Sequence, residues 1–195
     1  MKDQKNSFLY YILALIIIIS VLPFLSSDPA YNVDNAYFCS VIAADENGGA
    51  YTLNVFSHGK NGEEYVFTGK GGSFSEAFSD AKKSCDGKLF YSTAELLVLG
   101  KGFEEKDARR QLALLSAGNT ELQLSVFTVF TQTDATSLSA DTLKRLSEKA
   151  ESSELSYEAR LMHVTESALA GAKLFPVRAT LADRISITSS KEALV

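Results

Sequence analysis

Between Val66 and Gly100 the alternation of apolar and polar positions changes period twice. Tyr65, Val66 and Phe67 close a short β-type run, Gly69-Lys70-Gly71-Gly72 interrupts it, and Ser73-Phe74-Ser75-Glu76 has the spacing of a helix-capping box. Phe74, Ala77, Phe78, Ala81 and Cys85 then recur at helical intervals and form one apolar stripe, with Gly87 placed for a left-handed stop. Leu96-Leu97-Val98-Leu99 is an unbroken apolar run, as expected for a strand covered on both faces within a parallel sheet. A right-handed crossover from the strand Glu63–Thr68 would lay it parallel to that strand. The expectation is a buried β-α-β unit.

Upstream, Ala36–Ala44 is apolar, Asp45-Glu46-Asn47-Gly48-Gly49 is a turn cluster, and Tyr51–Phe56 alternates with period two, together predicting an antiparallel hairpin. His58–Gly62 is a second turn. Downstream, Phe103–Ala117 reads as a helix with acidic residues in its first turn, and Leu122–Phe130 as a strand. Thr131–Ser137 reads as polar loop. Leu138–Lys149, with Leu143 and Leu146 among charges, predicts a short exposed helix. Ser156–Ala170 places Tyr157, Leu161, Val164 and Ala168 on one helical face. Leu174–Thr188 is again β-like, a last strand expected to lack a partner. The fold class is therefore α/β (α+β), a mixed sheet of about five to six strands with helices packed on it.

The N-terminal pattern is of another kind. Phe8 to Leu25 holds 18 residues without a charge, which as a helix would span roughly 27 Å, close to a hydrocarbon core. Lys2 and Lys5 precede it and Asp28 and Asp34 follow, an order that puts residues 1–7 in the cytoplasm and the remainder outside. A cleaved signal peptide is the competing reading, but Leu25 and Ser27 fit the −3 and −1 positions poorly. Residues 26–35 read as a polar spacer, 36–188 as the outer domain and 189–195 as a tail.

Composition narrows the chemistry. The 195 residues carry a net charge of −5 with scattered lysines and arginines, which argues against a nucleic-acid surface. The glycine loop Gly69–Gly72 opens onto a helix N-terminus where a phosphate can sit, yet Lys70 does not close a Walker motif, and a tight turn needs glycines anyway. His58 and His163 are the only histidines, with no ligand cluster for a metal and no G-x-S-x-G elbow for a nucleophile. No catalytic, cofactor-binding or metal residue is assigned. Cys39 and Cys85 would close a loop of about 46 residues if they paired, contributing about 3–4 kcal/mol. Both also sit in apolar patterns where a free thiol acts as a small hydrophobe. Glu104–Arg110 is a solvated helix face with pairs such as Glu105–Arg109, and Glu95 marks a sheet end or faces a cation.

Three stretches resemble the N-terminal domain of the Ger(x)C family, the C-subunits of spore nutrient-germinant receptors. Ala36–Val55 is similar to the family's opening hairpin. Gly69–Gly100 resembles its glycine turn, Ser-x-x-Glu-Ala helix and Leu-Phe/Tyr strand running to a Leu-Gly end, and Glu121–Ala135 resembles its next strand and loop. The resemblance covers about residues 36–188 and rests on hydrophobic pattern and turn residues. It implies a non-enzymatic domain on the outer face of the spore inner membrane, partnered by integral-membrane receptor subunits and the lipid membrane. The family's lipid-attachment cysteine is missing, so Phe8–Leu25 would replace it as a protein anchor, and the family continues into further domains where this chain stops. Two other classes stay open: a secreted or anchored hydrolase with His58 or His163 as base, and a generic surface adhesion or solute-binding domain.

Overall fold

A computed structural model describes residues 35–104, 110, 113, 122–151, 160–170, 177–181 and 185–189. The chain divides into Met1–Val33 and Asp34–Val195, and all described residues belong to the second unit. The proposed membrane segment Phe8–Leu25 lies outside the described residues, as do most of the helix expected over Phe103–Ala117, the pair Glu105–Arg109, and Tyr157 of the last helix. Among the described residues no helix is long and apolar enough to cross a membrane.

The hairpin forms from β1 (Ala36–Asn47) and β2 (Ala50–His58), antiparallel in the register Ala44↔Leu53. The strands run further than the polar cluster suggests, because Gly48 and Gly49 alone make the turn with φ of +62° and +89°. Both values are those of a type I′ turn, whose twist matches the strands it joins. Asp45 and Glu46 therefore belong to β1 rather than to the turn. β3 (Glu64–Gly71) adds antiparallel to β2.

The next helix, α1 (Phe74–Lys83), buries Phe74, Ala77, Phe78 and Ala81, the stripe expected of it. The Ser73 hydroxyl accepts from the Glu76 N–H at 3.2 Å. Glu76 in turn reaches one residue further back than a capping box requires and accepts from the Gly72 N–H at 2.9 Å. The helix ends at Ser84 with right-handed backbone. Gly87 is not a left-handed stop; it is glycine because a Cβ there would lie 1.9 Å from the Asn35 carbonyl oxygen.

Two collinear pieces then run beside β1: β4 (Lys88–Phe90) along Ala36–Phe38 and β5 (Leu96–Leu99) along Val41–Ala44, both parallel to it. The break between them coincides with a register shift in β1 between Cys39 and Val41. There Thr93 Oγ1 donates to the Cys39 carbonyl at 2.7 Å and the Glu95 N–H to the Ser40 carbonyl at 2.9 Å, so the interruption leaves these backbone acceptors satisfied. β5 points the same way as β3 but is not its neighbour, since the crossover passes over β2 and β1.

β6 (Phe127–Phe130) pairs parallel with β5. It is shorter than the expected Leu122–Phe130, because residues 122–126 turn, with Leu122 and Val126 buried and Leu124 exposed. β7 (Val177–Leu181) joins β6 in parallel and hairpins with β8 (Ile185–Ser189), so the expected lone last strand is two strands with partners on both sides of β7. The sheet has eight strands, in the order β3-β2-β1-β5-β6-β7-β8 with β4 beside β1, rather than five to six.

Helices cover both faces. On one lie α1 and α3 (Leu161–Leu169), which share a core of Ile42, Leu53, Leu97, Leu99, Phe103 and Phe130. On the other lies α2 (Ala140–Glu151), whose Leu143 and Leu146 are buried with Val41, Ala43, Leu96 and Val98. The helix expected to be exposed is thus a core element; its charges form only the outward face, and its leucines lie three apart on the inner one. β5 contributes to both cores, and all four of its side chains have no exposed surface.

Leu97→Ala would leave a void that rigid neighbours on a sheet interior cannot close. An equilibrium urea titration should show a loss of about 2–5 kcal/mol.

Candidate functional site

β2 alternates strictly. Tyr51, Leu53 and Val55 face the α1 layer, and Asn54, Phe56 and His58 face the α2 side. β3 and the helix α2 face each other across this side of the sheet. Between them opens a cleft of about 480 Å³. Val41, Phe56, Val66 and Leu143 supply apolar surface, α2 contributes Asp141, Lys144 and Glu148, and His58, Glu64 and Glu95 complete the rim. Four carboxylates stand against one lysine and one histidine, so the cleft suits an apolar body bearing a cationic or hydrogen-bond-donating head.

His58 lies directly across from Glu64 in the β2–β3 ladder. Ser40, also on the cleft, donates its hydroxyl to the Phe56 carbonyl at 3.1 Å, so its proton is committed to the sheet rather than to His58. His163 is half-buried on α3, whose Leu161 and Val164 belong to the opposite layer. The fold does not bring the two histidines together. Among the described residues no group of three or more His, Cys, Asp or Glu is arranged to hold a metal ion.

The glycine loop is filled by the protein's own carboxylates. Glu76 takes the Gly72 N–H, and Asp80 Oδ2 takes the Lys70 N–H at 3.0 Å. The donors a phosphate would use are thereby occupied. The glycines answer a packing need instead: a Cβ at Gly69 would lie 2.0 Å from the Ala77 carbonyl oxygen, and one at Gly71 2.7 Å from the Ala77 nitrogen. They let α1 rest directly on the end of β3.

Cys39 and Cys85 are separate thiols. Cys39 faces the α1 core, where burial pushes its thiol well above the usual range and keeps it protonated. Cys85 follows α1, packs against the same core and is also shifted upward, chiefly by burial. Glu95 is exposed in the break between β4 and β5, immediately before Leu96, and does not mark a sheet end, since β4 continues along β1 beyond it.

Sequence reasoning overlooked Asp45. It is buried, and its Oδ1 accepts from the Ala135 N–H at 2.8 Å while its Oδ2 accepts from the Thr136 N–H at 2.8 Å and from the Thr136 hydroxyl. Asn54 Nδ2 adds a bond to the Thr136 carbonyl at 2.9 Å. The loop after β6 is thus clamped to the hairpin, and a Cβ at Gly100 would strike the Asp45 carboxylate. The sequence does carry a hint, since Asp45 continues the Val41, Ala43 alternation onto a covered face. Its partners are 90 and 91 residues away, which no local pattern reports.

At the other end of β1, Tyr37 packs edge-on against Tyr65 and Phe67 and donates to Asp86 Oδ1 at 2.6 Å. That hydrogen bond first, then burial and the Asp86 charge, push the phenol up to about 12. Comparison with protein-family models, with curated proteins and with solved structures finds no match to this chain.

Asp45→Ala strands one buried and one half-buried backbone N–H group and should cost about 2–3 kcal/mol in a denaturant titration. The amides of residues 135 and 136 should then lose hydrogen-exchange protection ahead of the rest of the sheet. For Tyr37, the folded phenol holds its proton above the unfolded value of 10.0. Its stabilising effect is complete below pH 10 and is lost as pH rises toward 12. Tyr37→Phe should remove that part of the alkaline decline in stability, and the tyrosinate absorbance of the native protein should lose its step near pH 12.

Proposed function

We propose that the chain is a membrane-anchored, non-enzymatic extracytoplasmic subunit, similar to the C-component of a spore nutrient-germinant receptor, that works in germination by assembling with integral-membrane partners. Residues 8–25 would be the anchor, with residues 1–7 inside and the outer domain on the outer face of the spore inner membrane. The observation that carries this reading is the placement of the three stretches that resemble the Ger(x)C domain. The Ala36–Val55 hairpin, the segment from Gly69 through α1 to β5, and β6 with its following loop make up the consecutive sheet positions β2-β1-β5-β6 and the helix laid over them. These pieces lie side by side, as parts of one such domain would.

Chemistry on the described surface supports the same reading. Asp45, the buried carboxylate, is saturated by loop donors, Glu76 and Asp80 are spent on backbone N–H groups, and Ser40 is spent on the sheet. What stays available is the cleft between β2–β3 and α2, a shape suited to recognition.

Cross-linking and affinity recovery of the full chain from membranes of sporulating cells should return two multi-span partners. The double variant His58→Ala/His163→Ala should return the same partners in the same amount. Turnover of a substrate by the purified chain, lost in that variant, would reverse the assignment in favour of a hydrolase.

A further inference from the structure

The outer edge of β3 is open along one short stretch, and that stretch matches itself. Lys70 turns its N–H away from β2, toward Asp80. Because the direction alternates along a strand, Glu64, Val66 and Thr68 also point their N–H and C=O groups outward. The hydrogen bond from the Gly59 N–H to the Glu63 carbonyl and that from the Thr68 hydroxyl to Asn54 Oδ1 agree with this phase. Asp80 and Glu76 close the edge beyond Thr68.

Charge or proline commonly protects an edge strand. Here the open stretch reads Glu64-Tyr65-Val66-Phe67-Thr68, one charge at its start and aromatic or β-branched from there on. Val66 is 52% exposed and Tyr65 38%, two of the four large apolar side chains that stand exposed among the described residues.

We propose that this edge pairs with a second copy of the chain, antiparallel, about a two-fold axis through Val66, so that two sheets join into one. The closed end selects the register, since only Glu64, Val66 and Thr68 have outward groups to offer. With Val66 opposite Val66, Glu64 falls opposite Thr68, and all three outward-facing positions are paired. Tyr65 falls opposite Phe67 on the α1 side, an aromatic cross-strand pair in both halves. On the other side Lys70 of each copy stands diagonal to Glu64 of the next, about 7–8 Å apart and within reach of opposite charges. No like charges meet directly in this register.

The test uses the full chain in its membrane, in a Cys85→Ser background to remove the accessible thiol. Val66→Cys would place two thiols across the axis at a Cα separation of about 5.5 Å, within disulfide range. Thr68→Cys would hold them about 14 Å apart, four residues out of register. Copper-phenanthroline oxidation should give about tenfold more linked dimer for Val66→Cys than for Thr68→Cys. In detergent, the unmodified chain should sediment as a dimer and Val66→Lys, which sets like charges on the axis, as a monomer with an unchanged circular-dichroism spectrum. Equal linking of the two cysteine variants, absence of linking at position 66, or a dimer that persists in Val66→Lys would overturn the proposal.

Discussion

Leu96–Leu99 has no face left for water. Leu97 and Leu99 sit in the core beneath α1 and α3, Leu96 and Val98 in the core beneath α2, and both strand edges are paired. Such a strand forces layers on both sides of the sheet and demands that every backbone group be met by a neighbour. The rest of the architecture answers that demand. β1 and β6 flank it, the crossover helix covers one side, and α2 is drawn down onto the other by Leu143 and Leu146.

Asp45 solves a second problem created by this arrangement. β5 and β6 end together at Leu99 and Phe130 while β1 runs on to Asn47, and the chain that leaves β6 passes the protruding end of β1 before entering α2. A carboxylate that accepts from Ala135 and Thr136 fixes that passage, and Gly100 leaves room for it. The charge is buried at a cost, offset by three donors of which two are backbone N–H groups otherwise without partners. The clamp holds the loop a few residues ahead of α2, whose first turn is capped by Ser139, the Thr142 N–H donating to its hydroxyl at 3.3 Å.

Elements read from short-range pattern came out as expected where the pattern was also the cause. The α1 stripe, the Ser73 cap, the β1–β2 hairpin and the buried β5 all follow from periodicity and local turn chemistry. Errors arose where burial came from afar. α2 looked exposed because its charges outnumber its leucines, yet two leucines suffice once a sheet face is waiting. Gly87 looked like a helix stop, because a glycine that permits close approach is indistinguishable in sequence from one that permits positive φ. The last strand looked unpartnered because Leu174–Thr188 reads as one β-like run, whereas two strands of equal length, Val177–Leu181 and Ile185–Ser189, pair with each other along it. The candidate site was less legible still, since its lining comes from β1, β2, β3 and α2, segments far apart along the chain.

By itself the sequence determined the hidden strand at the centre, the apolar stripe and Ser73 cap of α1, and the pairing of the first hairpin, because each depends on residues within a few positions of one another. Only the tertiary structure decided that β5 lies beside β1 rather than β3, that Asp45 clamps a loop 90 residues on, and which edge of the sheet remains open. Those outcomes depend on which surfaces meet after the chain has crossed the sheet, and free energy of that kind is not carried by neighbours in sequence.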